Sequence, residues 1–178
     1  MIGILRFVGV ANAAVWFGAA VFYTVAAAPA LTSTGTRAIL GDTNFPFFGG
    51  AISELLRVRY FHFHLICACV AMLHLGLEWL YQGRAPKRLW TALLLVLFWL
   101  SLLGSLWLGP KLQELQRTRH LVNSPPPQRE QAIRSFRIWE GAFQICNVIL
   151  LAGAAGYLWR SAHPPDELRF VGTPKFRS

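Results

Sequence analysis

Charge is what this sequence has least of. Asp, Glu, Lys and Arg supply 14 % of its 178 residues, against roughly 25 % in soluble domains. A chain so poor in charge cannot coat a water-facing surface, and 54 % of its residues are hydrophobic. Neither a soluble globular enzyme nor a disordered protein fits that balance. Acid is scarcer still, with eight Asp and Glu against seventeen Lys and Arg. Hydrolase and nucleotide signatures are missing as well. No GxSxG, Walker A motif or GxGxxG in strand–helix context occurs, which argues against chemistry of those kinds. What remains is an integral membrane protein.

Cysteine is sparse and badly placed for redox or metal work. Cys67, Cys69 and Cys146 all fall inside apolar segments. Cys67 and Cys69 form a CxC rather than a CxxC, and two steps along a helix turn them about 200° apart. They can share neither a disulfide nor a chelate, and small hydrophobic filler is the expected role of all three.

The basic excess, +9 overall with a pI near 10.3, would raise nucleic acid as a partner in a soluble protein. Here the Lys and Arg lie almost entirely outside the apolar runs, where they meet anionic headgroups and fix orientation. No basic block carries interleaved aromatics in a polar context, so no nucleic acid is expected.

Four apolar runs are present, at about 5–31, 60–81, 89–108 and 139–159. Each reaches the ~20 residues that a helix needs to cross ~30 Å of hydrocarbon, and no alternating segments suggest a barrel. The predicted fold is all-α, a four-helix transmembrane domain over 1–160 followed by an extended basic tail, 161–178. Ala26-Ala27-Ala28-Pro29 looks like a signal cleavage site, but the apolar stretch before it exceeds the 7–15 residues of a signal peptide. The run is therefore expected to stay as a helix.

Basic residues divide almost evenly between the two sides, so the dense short loop Gly83-Arg84-Ala85-Pro86-Lys87-Arg88 decides orientation and places both termini in the cytoplasm. Trp79, Tyr81, Trp90, Tyr157 and Trp159 then make one interfacial belt, and Tyr60, Trp107 and Trp139 the other.

Gly109-Pro110 is expected to end or kink the third helix. Beyond it, Leu112, Leu115 and Val122 recur at near-helical spacing. Ser124-Pro125-Pro126-Pro127 forces a turn with Ser124 as a helix cap, and Ala132, Ile133 and Phe136 continue an apolar stripe. This pattern predicts a helical hairpin over 110–138 that projects from the membrane and serves either as a solvated connection or as a docking arm. The first connection, Thr32 to Val58, holds Phe45-Pro46-Phe47-Phe48 and Gly49-Gly50. It is expected to lie in the interface or plug the bundle mouth, with the second helix starting at Ser53 to Arg59.

Polar groups inside spans are costly and tend to be functional. Cys67, His74 and Glu78 share one face of the second span, and Glu140, Gln144 and Asn147 one face of the fourth. Asn12 lies in the first span, and Ser101 and Ser105 flank Gly104 in the third. His62 and His64 point to nearly opposite sides of the second. One expectation is a buried site centred on His74 and lined by Glu78, Asn12, Gln144 and Asn147, where imidazole would ligate haem iron or copper, or relay a proton. The other is that these groups bond helix to helix at ~0.6–2 kcal/mol each, while Gly9, Ala13, Ala14 and Gly18 permit close approach. No HxxxH, ExxH or CxxC lies within a span to favour the ligand site.

Trp16-Phe17-Gly18-Ala19-Ala20-Val21-Phe22, followed by Ala28-Pro29-Ala30-Leu31, resembles a bacterial family of four-helix membrane proteins known only as a domain of unknown function. It is akin to TMEM205-like proteins and distantly to CopD-type copper-resistance proteins. The resemblance extends over Leu5 to Trp159 and implies an inner-membrane four-helix bundle without an assigned activity. Copper handling would want paired Met or His ligands, but the Met residues are Met1 and Met72 alone. Membrane protoporphyrinogen oxidases are similar in size but depend on a histidine in the first helix, where this sequence has none.

The expected role is a non-catalytic accessory or structural subunit of a larger complex in the bacterial inner membrane, with protein subunits as partners. The alternative is a haem- or metal-binding redox or transport protein centred on His74.

Overall fold

The computed structural model describes residues 2–82, 88–120 and 125–163. These are helical almost throughout. Helix α1 is Ile2–Phe22, α2 Ala28–Leu31, α3 Thr34–Leu40 and α4 Phe45–Gln82. They are followed by α5, Arg88–Leu103, α6, Gly109–His120, and α7, Pro126–Ala162. Among the described residues, four helical rods are long and apolar enough to cross a membrane: Gly3–Leu31, Phe45–Tyr81, Arg88–His120 and Pro126–Ala162.

Two of those rods run through a proline, and both use the same device. A π-helical turn, Tyr23–Ala27, links α1 to α2, with the Ala28 N–H donating to the Tyr23 carbonyl. Another, Gly104–Leu108, links α5 to α6, with the Gly109 N–H donating to the Gly104 carbonyl. In each case the next residue is proline, Pro29 or Pro110. A proline ring clashes with the carbonyl four residues back and offers it no donor; the wider turn moves that carbonyl aside. Of the two outcomes expected at Gly109-Pro110, an end or a kink, the end does not occur: the helix is locally widened there instead. Helix continues to His120.

The second rod also starts earlier than its composition implies. Phe45-Pro46-Phe47-Phe48 is the first turn of α4, not a plug in the connection. Pro46 falls where a helix has no use for an N–H. Gly41, at φ 75°, ends α3, while the Ser33 hydroxyl caps its start by accepting the Thr36 N–H at 3.2 Å. At the fourth rod, Pro125 occupies the cap position with Pro126 and Pro127 in the first turn. Ser124, Val122, the 83–87 part of the short basic loop and the tail beyond His163 lie outside the described residues.

The rods are arranged as a closed ring. The α1 rod packs on α4, α4 on the α5–α6 rod, and that rod on α7, which returns to α1. Glycines open three of these seams. A Cβ on Gly9 would overlap the His74 ring, one on Gly104 the Phe61 ring, and one on Gly153 the Leu97 side chain. Trp16, Phe61, Phe143, Leu94, Leu97 and Leu150 fill the centre. Outward faces carry Phe7, Leu73, Leu80, Leu106 and Ile145, all exposed, the surface that lipid solvates and water does not. Two supposed belt residues are not at the surface. Tyr60 and Tyr157 turn inward and are buried, whereas Trp79, Tyr81, Trp107 and Trp159 are exposed.

Candidate functional site

The interior polar groups follow from the faces the rods turn inward. On α4 the buried positions are Tyr60, Phe61, His64, Cys67, Ala68, Ala71 and Leu75, spaced by three and four as one helical face requires. Opposite them stand Trp16 and Tyr23 from the first rod, and Asn147 and Tyr157 from α7.

At the middle of the bundle the Trp16 indole N–H donates to His64 Nδ1 at 2.7 Å. Indole nitrogen is a donor only, so His64 must accept through Nδ1 and carry its proton on Nε2. That Nε2 is buried without a hydrogen-bond partner. The Tyr60 ring lies edge-on, 4.2 Å from the imidazole centroid, and Tyr23 stacks on Tyr60 at 4.0 Å. The Tyr60 hydroxyl donates to Asn147 Oδ1 at 2.5 Å, and Asn147 Nδ2 donates to the Thr24 hydroxyl at 2.9 Å. Thr24 in turn donates to the Ala20 carbonyl. Three rods are joined by this one chain.

Nearer the start of α4, Arg57 is 5 % exposed. It donates to Glu54 Oε1 at 2.7 Å, lies 3.6 Å from Glu140 Oε1, and covers the Phe143 ring at 4.5 Å. Such a cation is tolerable away from water only because carboxylates and an aromatic face replace its hydration. Beside it, a cavity of about 260 Å³ opens between α4 and α6, lined by Phe47, Glu54, Gln116 and His120 among others. Glu54 Oε2 and His120 Nε2 are buried there without hydrogen-bond partners.

His74 and the four residues expected to line a site around it are distributed instead. Asn12 Nδ2 donates to the Cys67 carbonyl at 3.0 Å. His74 Nε2 sits 3.0 Å from the Leu5 carbonyl, which can only accept, so the imidazole donates. Glu78 pairs with Arg160 at 3.5 Å, and Arg160 also lies over the Trp90 ring. Asn147 belongs to the tyrosine chain just described. Gln144 is exposed and turned away from the interior. On α4 the three contacts fall at residues 60, 67 and 74, about 10 Å apart at 1.5 Å per residue. They form a ladder along the helix, not a pocket.

Sequence reading missed Trp16, His64 and Tyr60 as interior polar groups, and with them Glu54 and Arg57 nearer the start of α4. A signal was available in Tyr60, His64 and Cys67, which stand at intervals of four and three on one face. For haem or copper the fit is poor. His74 spends Nε2 on a backbone carbonyl, and among the described residues no three His, Cys, Asp or Glu side chains gather as ligands.

A family model described as Domain of unknown function (DUF4149) matches residues 12–121. The chain belongs to this family. The DUF4149 match takes in the contributions of Trp16, His64, Asn12, Cys67, Glu54 and Arg57, and ends before α7 supplies Glu140 and Asn147. No curated protein and no solved structure matches the chain.

Proposed function

We propose that this protein is a non-catalytic, structural subunit of a larger membrane complex, and that it docks through the extramembrane ends of its rods. The supporting observation is an apolar stripe where lipid does not reach. Helix α4 has 38 residues, about 57 Å at 1.5 Å each, whereas hydrocarbon is ~30 Å thick. Its charge-free stretch starts at Tyr60, after Glu54, Arg57 and Arg59, so the turns before it stand outside the bilayer. On those turns Phe48, Ile52 and Leu55 are exposed at intervals of four and three, one face of the helix.

The same end of the molecule carries α6 and the first turns of α7, which pack together, and α6 also packs on α4. On this reading α6 and the first turns of α7 belong to a three-helix projection that α4 buttresses. An apolar stripe on such a projection is a contact surface for another subunit.

The absence of catalysis is part of the proposal. Its support is that four of the five candidate ligands are engaged between helices: Asn12 to Cys67, His74 to Leu5, Glu78 to Arg160, and Asn147 to Tyr60 and Thr24. Kinship with TMEM205-like or CopD-type proteins would add no activity to this reading. We place the protein in a bacterial inner membrane. Four crossings put both ends on one side, and the Arg84, Lys87 and Arg88 run assigns that side to the cytoplasm.

Extraction from native membranes in mild detergent, followed by mass measurement, tests the role. The expected result is a defined assembly well above the 19.9 kDa chain, held by contacts that a photocrosslinker at Leu55 captures and one at lipid-facing Leu73 does not. A lone monomer, or equal capture at both positions, overturns it.

A further inference from the structure

On the lipid-facing side of the seam between the first rod and α4 lies a shallow groove of about 210 Å³. Its lining includes two alanines, Ala19 and Ala27, together with Phe22, Leu56 and Phe63. The π-helical turn contributes Tyr23, which turns inward to stack on Tyr60 instead of filling the groove. Apart from these tyrosines, one polar side chain reaches it: Arg59.

Arg59 differs from Arg57 in one decisive respect. Arg57 faces inward and is committed to Glu54 and Glu140. Two residues on, Arg59 is exposed, and no ion pair or ring contact holds it among the described residues. It is also the last cation before the charge-free stretch that begins at Tyr60, which sets it at the level of lipid headgroups. An apolar groove that carries a free guanidinium at that depth, with Ala19 and Phe63 on its membrane side, complements an acyl chain ending in an anionic phosphate, which guanidinium binds with paired N–H donors.

We infer that the Arg59 groove is a binding site for one anionic phospholipid, with its phosphate on Arg59 and an acyl chain along Ala19, Phe22 and Phe63. A zwitterionic lipid would bring an ammonium group that no acidic side chain lining the groove receives, so the net negative headgroup is preferred. The inference rests on the chain being embedded in a bilayer and not on its being a subunit.

The full-length protein, purified in mild detergent and loaded with equal amounts of phosphatidylglycerol and phosphatidylcholine of identical acyl chains, is read by native mass spectrometry. Wild type is expected to retain phosphatidylglycerol in preference. Arg59→Gln should reduce that preference about fivefold, the effect of one arginine near an anionic surface, and Arg59→Lys should fall between. Ala19→Phe, which fills the membrane side of the groove, should remove one bound lipid of either headgroup. Arg6→Gln, a cation at the far end of α1, should change nothing. Equal retention of both lipids by wild type, an unchanged preference in Arg59→Gln, or an equal loss in Arg6→Gln would overturn the site. A protein that keeps its lipid but purifies as a monomer would refute only the subunit role.

Discussion

Arg57 is the most demanding residue in the molecule. Its charge is withdrawn from water and compensated by Glu54, Glu140 and the face of Phe143. Glu140 is half-exposed and can hydrate if its partner is lost, whereas Glu54 is 3 % exposed and keeps most of its carboxylate out of water. Arg57→Met is therefore expected to destabilise the bundle by about 3–5 kcal/mol, mostly through the carboxylate left behind. Glu54→Gln combined with Arg57→Met should recover most of that loss, because the stranded charge is gone. Unfolding in a graded detergent–denaturant series checks both. A single variant as stable as wild type, or a double variant no better than the single, would show that the triad contributes little. Individual residues were also where sequence was least legible. His74 looked central because Cys67 and Glu78 share its face, yet its partner is a backbone carbonyl, and carbonyls leave no trace in sequence patterns. His64 was noted only for pointing away from His62. Its importance comes from Trp16, 48 positions earlier, and no local spacing encodes that contact.

Helical elements were legible where composition alone decides them. Four apolar runs with at most one charge each became four rods, since hydrocarbon admits little else. Their ends were not, for two physical reasons. Before the second run, tertiary packing sustains helix where the apolar run has not yet begun, as in the turns of α4 ahead of Tyr60, although the helices over 110–138 were legible from their apolar stripe. Proline, too, reads as a stop unless the turn ahead of it widens, and a widened turn does not follow the 3.6-residue repeat by which helices are recognised. That device makes a prediction. Pro110→Ala returns an N–H to a turn already arranged to do without one, and should alter stability by less than about 1 kcal/mol. Leu115→Pro, in the regular part of α6, has no such turn and should cost about 3 kcal/mol or more. Comparing the two unfolding midpoints decides it. Equal losses would mean that the π-helical turn does not accommodate Pro110.

At the scale of the whole molecule, the ring has a last member. Each rod touches the ones before and after it in sequence, and α7 alone joins the end of the chain to its beginning. Until α7 arrives, the other three rods make an open trough. Tyr60 then lacks Asn147, and Arg57 keeps Glu54 but lacks Glu140. During biosynthesis the membrane must shelter a half-finished, partly polar lining for as long as translation takes to deliver the final helix. A chain ending at His120 should be cleared rapidly by membrane proteases, whereas co-expressing a second fragment that starts at Pro125 should rescue its lifetime, measured by pulse–chase. The closing helix would then act on its own siblings as a built-in chaperone, and the nascent trough marks the moment when this protein is most vulnerable to misinsertion.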